Sequence, residues 1–175
     1  GLTGVVEAAL KSAGLALAAR FEDIPPDSSV HVVNAAGRLY REANCDAIIA
    51  LGGGSVIDTA KGVRILIGQE TDDIMQYMGA DIVKPKRHVP FAVIPTTAGT
   101  GSEATLVAVI AHPERKVKME FVSHHLLPDL AVLDPRMTQS LPPRLTASTG
   151  MDALVHAIEG YTCIQRNPLS DAYAW

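Results

Sequence analysis

Apolar positions along the chain alternate between two periods. Residues 28–42 place Val32, Ala35, Ala36 and Leu39 at helical spacing behind Ser28 or Ser29 as N-cap. Residues 46–51 (DAIIAL) form instead a short unbroken apolar run closed by three glycines, the pattern of a strand buried on both faces. Helical spacing returns from Ser55 to about Ile67. A second buried strand is predicted over 90–95 (PFAVIP), a hairpin over 106–111 and 116–122 about the turn His112-Pro113-Glu114, and a brief strand at 131–133. From Pro142 the pattern is helical to about Cys163, and Pro168 interrupts it before a last helix. Residues 1–20 read as one helix-like stretch. Alternating helix and strand signals predict a layered α/β sheet. The boundary falls near 134–142, dividing residues 1–138 from a helical part, 139–175, and the chain reads as truncated at both ends.

Composition narrows the functional classes. With 175 residues, 47% apolar and 19% charged, the chain can bury one main core. The net charge is −4 and the basic residues are scattered, which gives no stripe to neutralise nucleic-acid phosphates. No apolar run approaches the ~20 residues that span a bilayer, so no membrane partner is expected. Cys45 and Cys163 lie far apart and form no metal or redox pair, a usage that fits a cytoplasmic protein.

Three segments carry candidate chemistry. Gly52-Gly53-Gly54-Ser55 ends a buried strand and opens a helix. Unpaired N–H groups and the helix dipole favour an anion there, and glycines let backbone approach a pyrophosphate. Ile57 and Lys61-Gly62 exclude a Walker A loop, and Ile57 also excludes the G-x-G-x-x-G fingerprint. A plain strand-to-helix turn, with Ser55 as cap and Asp58 as capping acid, would satisfy the same pattern. Residues 96–103 (TTAGTGSE) follow the second buried strand with four hydroxyls and two glycines, donors suited to a polyhydroxyl or phosphorylated ligand as well as to an ordinary polar connection. Asp152 and His156 lie four apart on one helix face, a spacing that can present two ligands to Fe²⁺ or Zn²⁺. The same pair would also suit a helix-terminal acid and a core histidine.

Taken in order, ALGGGSVIDTAKG (50–62), IPTTAGTGSE (94–103), LAVLDP (130–135) and GMDALVHAIEGYT (150–162) resemble the iron-containing alcohol dehydrogenase family. That resemblance implies a Rossmann-like NAD(P)-binding domain followed by an all-helical metal-binding domain, with the active site in the cleft between them. By motif match, Gly53, Gly54, Ser55 and Asp58 would hold the pyrophosphate region, Thr96, Thr97 and Thr105 would line the cofactor cleft, and Lys118 would lie near the nicotinamide ribose. Asp152 and His156 match the family's first two ligands to Fe²⁺, alternatively Zn²⁺. No catalytic acid or base is assigned.

The implied reaction is hydride transfer between an alcohol and its aldehyde or ketone and NAD or NADP, in a homo-oligomeric parent protein. The two remaining histidine ligands would lie beyond Trp175, so the 175-residue chain is expected to be inactive by itself. His124 and His125 stand in a surface turn and are poor substitutes. The family's opening strand, whose final Asp helps choose NAD over NADP, precedes Gly1, and Pro25-Pro26 stands where many members carry Asn-Pro. Glycerol dehydrogenases, maleylacetate reductases and dehydroquinate synthase-like lyases share the superfamily, and a non-catalytic dinucleotide-binding fragment is the alternative of another class.

Overall fold

A computed structural model describes residues 1–175. Helix α1 (Leu2–Ser12) is followed by an irregular stretch, then by α2 (Val30–Glu42), β1 (Ile48–Gly52) and α3 (Gly54–Gln69). Next come β2 (Gly79–Ala80), β3 (Phe91–Pro95), the hairpin β4 (Val107–His112) and β5 (Val117–Val122), and β6 (Leu130–Ala131). The chain closes with α4 (Pro143–Thr162) and α5 (Pro168–Ala174).

The strands form two sheets where one was predicted. β1, β3 and β6 are parallel in the order β1-β3-β6, whereas β2, β5 and β4 make a separate mixed sheet. Helix α3 lies between them, which explains why it is buried almost all round: Ile57 and every residue from Thr59 to Gln69 are buried. Ala50, Ile57, Ala60, Phe91 and Val93 pack it on the parallel sheet. Val63, Ile65 and Leu66 join Val33, Ile110, Met119 and Phe121 on the other side.

Two sequence expectations shift for local reasons. Helix α1 stops at Ser12 and does not continue to residue 20, because Gly14 turns left-handed at φ +71°. The Leu15 N–H then bonds the Leu10 carbonyl and the Gly14 N–H the Lys11 carbonyl, closing the helix with a Schellman motif. In α2 the buried face is Val30, Val33, Gly37 and Tyr40, displaced from the Val32, Ala35, Ala36 and Leu39 face that spacing suggested. The displacement places glycines where α2 and α3 press together: a Cβ on Gly37 would stand 2.9 Å from Leu66 Cδ1, and one on Gly62 would stand 2.8 Å from both Val33 Cγ2 and Ile110 Cδ1.

These contacts predict unequal outcomes for the same change. Gly→Ala in a helix interior gains up to ~1 kcal/mol of propensity, whereas overpacking a core costs ~1–3 kcal/mol. Gly37→Ala meets only the far end of one leucine and is expected to be near neutral. Gly62→Ala meets three methyl carbons on two residues and is expected to lower stability by about 1 kcal/mol net. Urea denaturation of both variants measures the ranking, and a reversed order would contradict this packing.

Arg64, only 8% exposed, fastens β6 to the rest. It donates to the Leu127 carbonyl at 2.6 Å and to both Asp129 oxygens at 3.2 and 3.0 Å, while Asp129 accepts the Phe91 N–H at 2.8 Å. Helices α4 and α5 pack on each other with no residue of either buried, and Leu145, Met151, Leu154, Val155 and Ile158 are exposed.

Candidate functional site

The parallel register decides where the candidate loops lie. Leu51 pairs with Ile94 and Gly52 with Pro95, so β1 and β3 end side by side and release the glycine turn and the Thr/Gly loop at one sheet edge. Carboxyl ends of parallel strands are where ligands collect in such sheets. The Thr96 N–H bonds the Gly52 carbonyl at 3.0 Å and carries the pairing one step into the loops.

At the glycine turn, Gly53 is the N-cap of α3 and no side chain caps it. The backbone N–H groups of Gly54 and Ser55 make no hydrogen bond within the protein, so this helix start presents two free donors. The cradle is narrow. A Cβ on Gly53 would lie 3.0 Å from Thr97 Cγ2, and one on Gly54 would lie 3.0 Å from Thr100 Cγ2. The two loops therefore face each other across backbone, a fit suited to an anionic diphosphate link that backbone donors can approach closely. Ser55 Oγ accepts the Asp27 N–H at 3.2 Å, and Asp27, held at φ +60°, pairs through Oδ1 with Lys118 Nζ at 2.8 Å. The turn at Pro25-Pro26-Asp27 thus joins the site, and Lys118 reaches it as an exposed side chain on β5. The sequence marks Pro25-Pro26-Asp27 as a turn but gives no sign that Asp27 joins the site.

Asp58 does not cap the helix. Its carboxylate accepts Ser102 Oγ at 2.8 Å and the Val109 N–H at 3.1 Å, tying α3 to the loop and to β4. Burial pushes its pKa up, against the lowering influence of Ser102, Val109 and Lys61. Lys61, one turn on, is fully buried. Its Nζ donates to Thr105 O at 2.9 Å, Thr105 Oγ1 at 3.1 Å and Val107 O at 2.7 Å. Burial lowers its pKa from 10.5 to about 8, opposed by Asp58 and Glu103. The sequence signal for this lysine is its place three residues after Asp58 in a helix whose second half is mostly apolar.

The Lys61 shift carries a sign that can be measured. Below pH 8 the ammonium is charged in both folded and unfolded states, and its desolvation penalty is constant. Between about 8 and 10.5 the folded state has released a proton that the unfolded chain still holds, so this group makes stability rise with pH. Denaturation midpoints of Lys61→Met compared with the unaltered protein across that window should show the rising contribution only in the latter. Equal slopes would contradict a lowered folded pKa.

The Asp/His pair stands beside this cleft. A Cβ on Gly99 would sit inside the backbone carbonyl of Thr149, so the Thr/Gly loop touches α4 one turn before Asp152. Asp152 is half-buried and His156 exposed, with no third His, Cys, Asp or Glu gathered near them. His124 and His125 lie in an exposed turn within Ser123–Leu127. In residue type the pair fits a divalent ion, and it would offer two ligands of the four or more that Fe²⁺ or Zn²⁺ takes.

Comparisons with known proteins identify the family. The family model for iron-containing alcohol dehydrogenase matches residues 1–135. Choline dehydrogenase of Bacillus subtilis is 41% identical over 176 residues, covering 99% of this chain and 43% of that protein. NAD-dependent methanol dehydrogenase of Bacillus methanolicus is 41% identical over 174 residues, covering 99% and 45%. Among solved structures, a 1,3-propanediol oxidoreductase superposes with TM-score 0.94 at 37% identity, covering 99% of this chain and 45% of that one. Sulfoacetaldehyde reductase from Bifidobacterium kashiwanohense, solved in complex with NAD⁺, superposes with TM-score 0.88 at 37% identity, covering 98% and 46%. The chain spans less than half the length of these relatives. With its glycine turn and Thr/Gly loop side by side at one sheet edge and its Asp/His helix against that loop, the chain belongs to the iron-containing alcohol dehydrogenase family.

Proposed function

We propose that this chain contributes the dinucleotide site and two metal ligands of a metal-dependent, NAD(P)-linked alcohol dehydrogenase. The observation that carries the reading is the convergence of the narrow glycine cradle, the Thr/Gly loop and the α4 segment bearing Asp152 at the carboxyl edge of one parallel sheet. Gly53, Gly54 and Ser55 hold the pyrophosphate through backbone donors, and Asp58 supports them from behind by fixing Ser102. Thr96, Thr97 and Thr105 line the cleft, and Lys118 serves the ribose end. Residues 1–138 act as the nucleotide-binding unit and 139–175 as the beginning of the metal-binding unit.

Asp152 and His156 bind Fe²⁺, or Zn²⁺ in its place, together with ligands from outside these 175 residues. Bound there, the ion would supply Lewis-acid polarisation of a substrate oxygen, and the dinucleotide would supply the hydride chemistry. The role of this chain's own residues is to align the dinucleotide and hold the two ligands on one helix face. The NAD⁺ complex of the sulfoacetaldehyde reductase and the NAD dependence in the name of the methanol dehydrogenase favour NAD over NADP. A small alcohol, aldehyde or ketone is the substrate class. The parent protein works as a cytoplasmic homo-oligomer; no helix is long and apolar enough to cross a membrane.

Calorimetric titration with NADH and with NADPH tests the reading directly. Saturable binding of NADH with a weaker response to NADPH is the expected result, and no binding of either would overturn it.

A further inference from the structure

Lys61 is the one lysine in this chain with no exposed surface, and its ammonium spends all three donors on a single short segment. Two of the acceptors are backbone carbonyls, of Thr105 and Val107, and the third is the Thr105 hydroxyl. A threonine hydroxyl has one proton and two lone pairs. Because Thr105 Oγ1 accepts from a cation, its own proton must go to an acceptor elsewhere. The nearest protein acceptor, Val107 O, is 3.5 Å away, too long to hold that proton firmly. Thr105 itself is half-exposed, at the downstream end of the Thr/Gly loop.

We propose that Lys61 is a positioning residue of the cofactor site, which fixes Thr105 and polarises its hydroxyl into a donor aimed at an acceptor oxygen of the bound dinucleotide. The inference rests on the reading of the cleft given under Proposed function. A hydroxyl that accepts from an ammonium is a stronger donor, because the two hydrogen bonds polarise each other. Helix α3 sets the spacing: Lys61 lies six residues beyond Ser55, about 9 Å further along the axis. The lysine therefore acts on a part of the ligand away from the diphosphate held at the glycine turn. The charged groups facing it are Asp58 on its own helix and Glu103 in the loop, and both favour its protonated form. Its pKa of about 8 places loss of that charge within a range where the protein can be assayed.

A double-mutant cycle on the protein tests this, with NADH and ADP as probes. Lys61→Met is expected to weaken NADH binding about tenfold, as is Thr105→Val, and the double variant is expected to be no weaker than either. ADP, held at the glycine turn, should bind all four proteins within about twofold. A purely structural role for Lys61 would make the two effects add and would weaken ADP equally, and either result overturns the proposal. Should Lys61→Met not fold, pH carries the test. NADH affinity of the unaltered protein should fall as pH rises through about 8, while that of Thr105→Val should not; matching profiles overturn it. Failure of the unaltered protein to bind NADH at all defeats the reading of the cleft and the proposal with it, whereas normal NADH binding by folded Lys61→Met defeats the role of Lys61 alone.

Discussion

Gly54→Val is expected to weaken NAD(H) binding by at least tenfold, ~1.4 kcal/mol, while leaving the fold intact. The reason is geometric. Gly54 opens α3 with a free N–H, and a Cβ there would stand 3.0 Å from Thr100 Cγ2 and 3.2 Å from its Oγ1. Valine adds two methyl groups at that point. The loop must withdraw to admit them, and the methyls then occupy the approach by which a diphosphate reaches the free donors. Gly53→Val should act the same way through Thr97, 3.0 Å from the corresponding Cβ position. The surrounding segments are loops at a sheet edge, so the change falls on binding more than on stability. Calorimetric titration with NADH, alongside circular dichroism to verify folding, measures it. Unchanged affinity in a folded Gly54→Val variant would remove this turn from the cofactor site.

His156→Ala in the complete enzyme is expected to lower metal-dependent turnover by about 100-fold or more while NADH affinity changes less than about twofold. The size follows from what a Lewis acid contributes, several kcal/mol of charge stabilisation at ~1.4 kcal/mol per factor of ten. The selectivity follows from the fold: His156 stands on α4, one turn beyond Asp152, whereas the cradle proposed for the diphosphate is built from β1, α3 and the Thr/Gly loop. With only two ligands, the 175-residue chain should hold Fe²⁺ weakly and oxidise alcohols negligibly, because stripping an ion of its water is repaid only by a complete ligand set. Plasma emission for metal content, nicotinamide absorbance for turnover and NADH fluorescence for binding separate these outcomes. Full metal occupancy with normal rates in His156→Ala would exclude it as a ligand, and high activity in the 175-residue chain would overturn the assignment of a partial metal site.

Much of the fold and of the site is legible in the amino-acid sequence. The alternation between helical spacing and short apolar runs locates α2, β1, α3, β3, the hairpin and α4 to within a few residues, since period and turn chemistry are local properties of the chain. The glycine turn and the Thr/Gly loop are recognisable as candidate ligand loops because each follows a buried strand. The order of four motifs points to the family that the comparisons establish. Gly14 as the end of α1 is equally local, and the apolar residues at 15 and 17 obscure it by extending the helical pattern.

The rest depends on contacts between residues far apart in the chain. Spacing within α2 cannot tell which face is buried, because the answer lies in Gly37 and Gly62 admitting Leu66, Val33 and Ile110 at the α2–α3 contact. Asp58 reads as a cap from its neighbours in sequence, yet its partners Ser102 and Val109 are 44 and 51 residues away. Lys61 reads only as a departure from a phosphate-loop pattern until the fold brings Thr105 and Val107 to its ammonium. The Asp27–Lys118 pair spans 91 residues and exists because the hairpin folds back over the start of α2. The sequence by itself determined most of the elements and the two candidate loops, which local backbone preference and apolar burial are enough to specify. Only the tertiary structure decided that the hairpin leaves the parallel sheet, that Gly52 and Pro95 end in register, and that Gly99 lets α4 approach the Thr/Gly loop, because close packing and strand register are settled between segments and not within them.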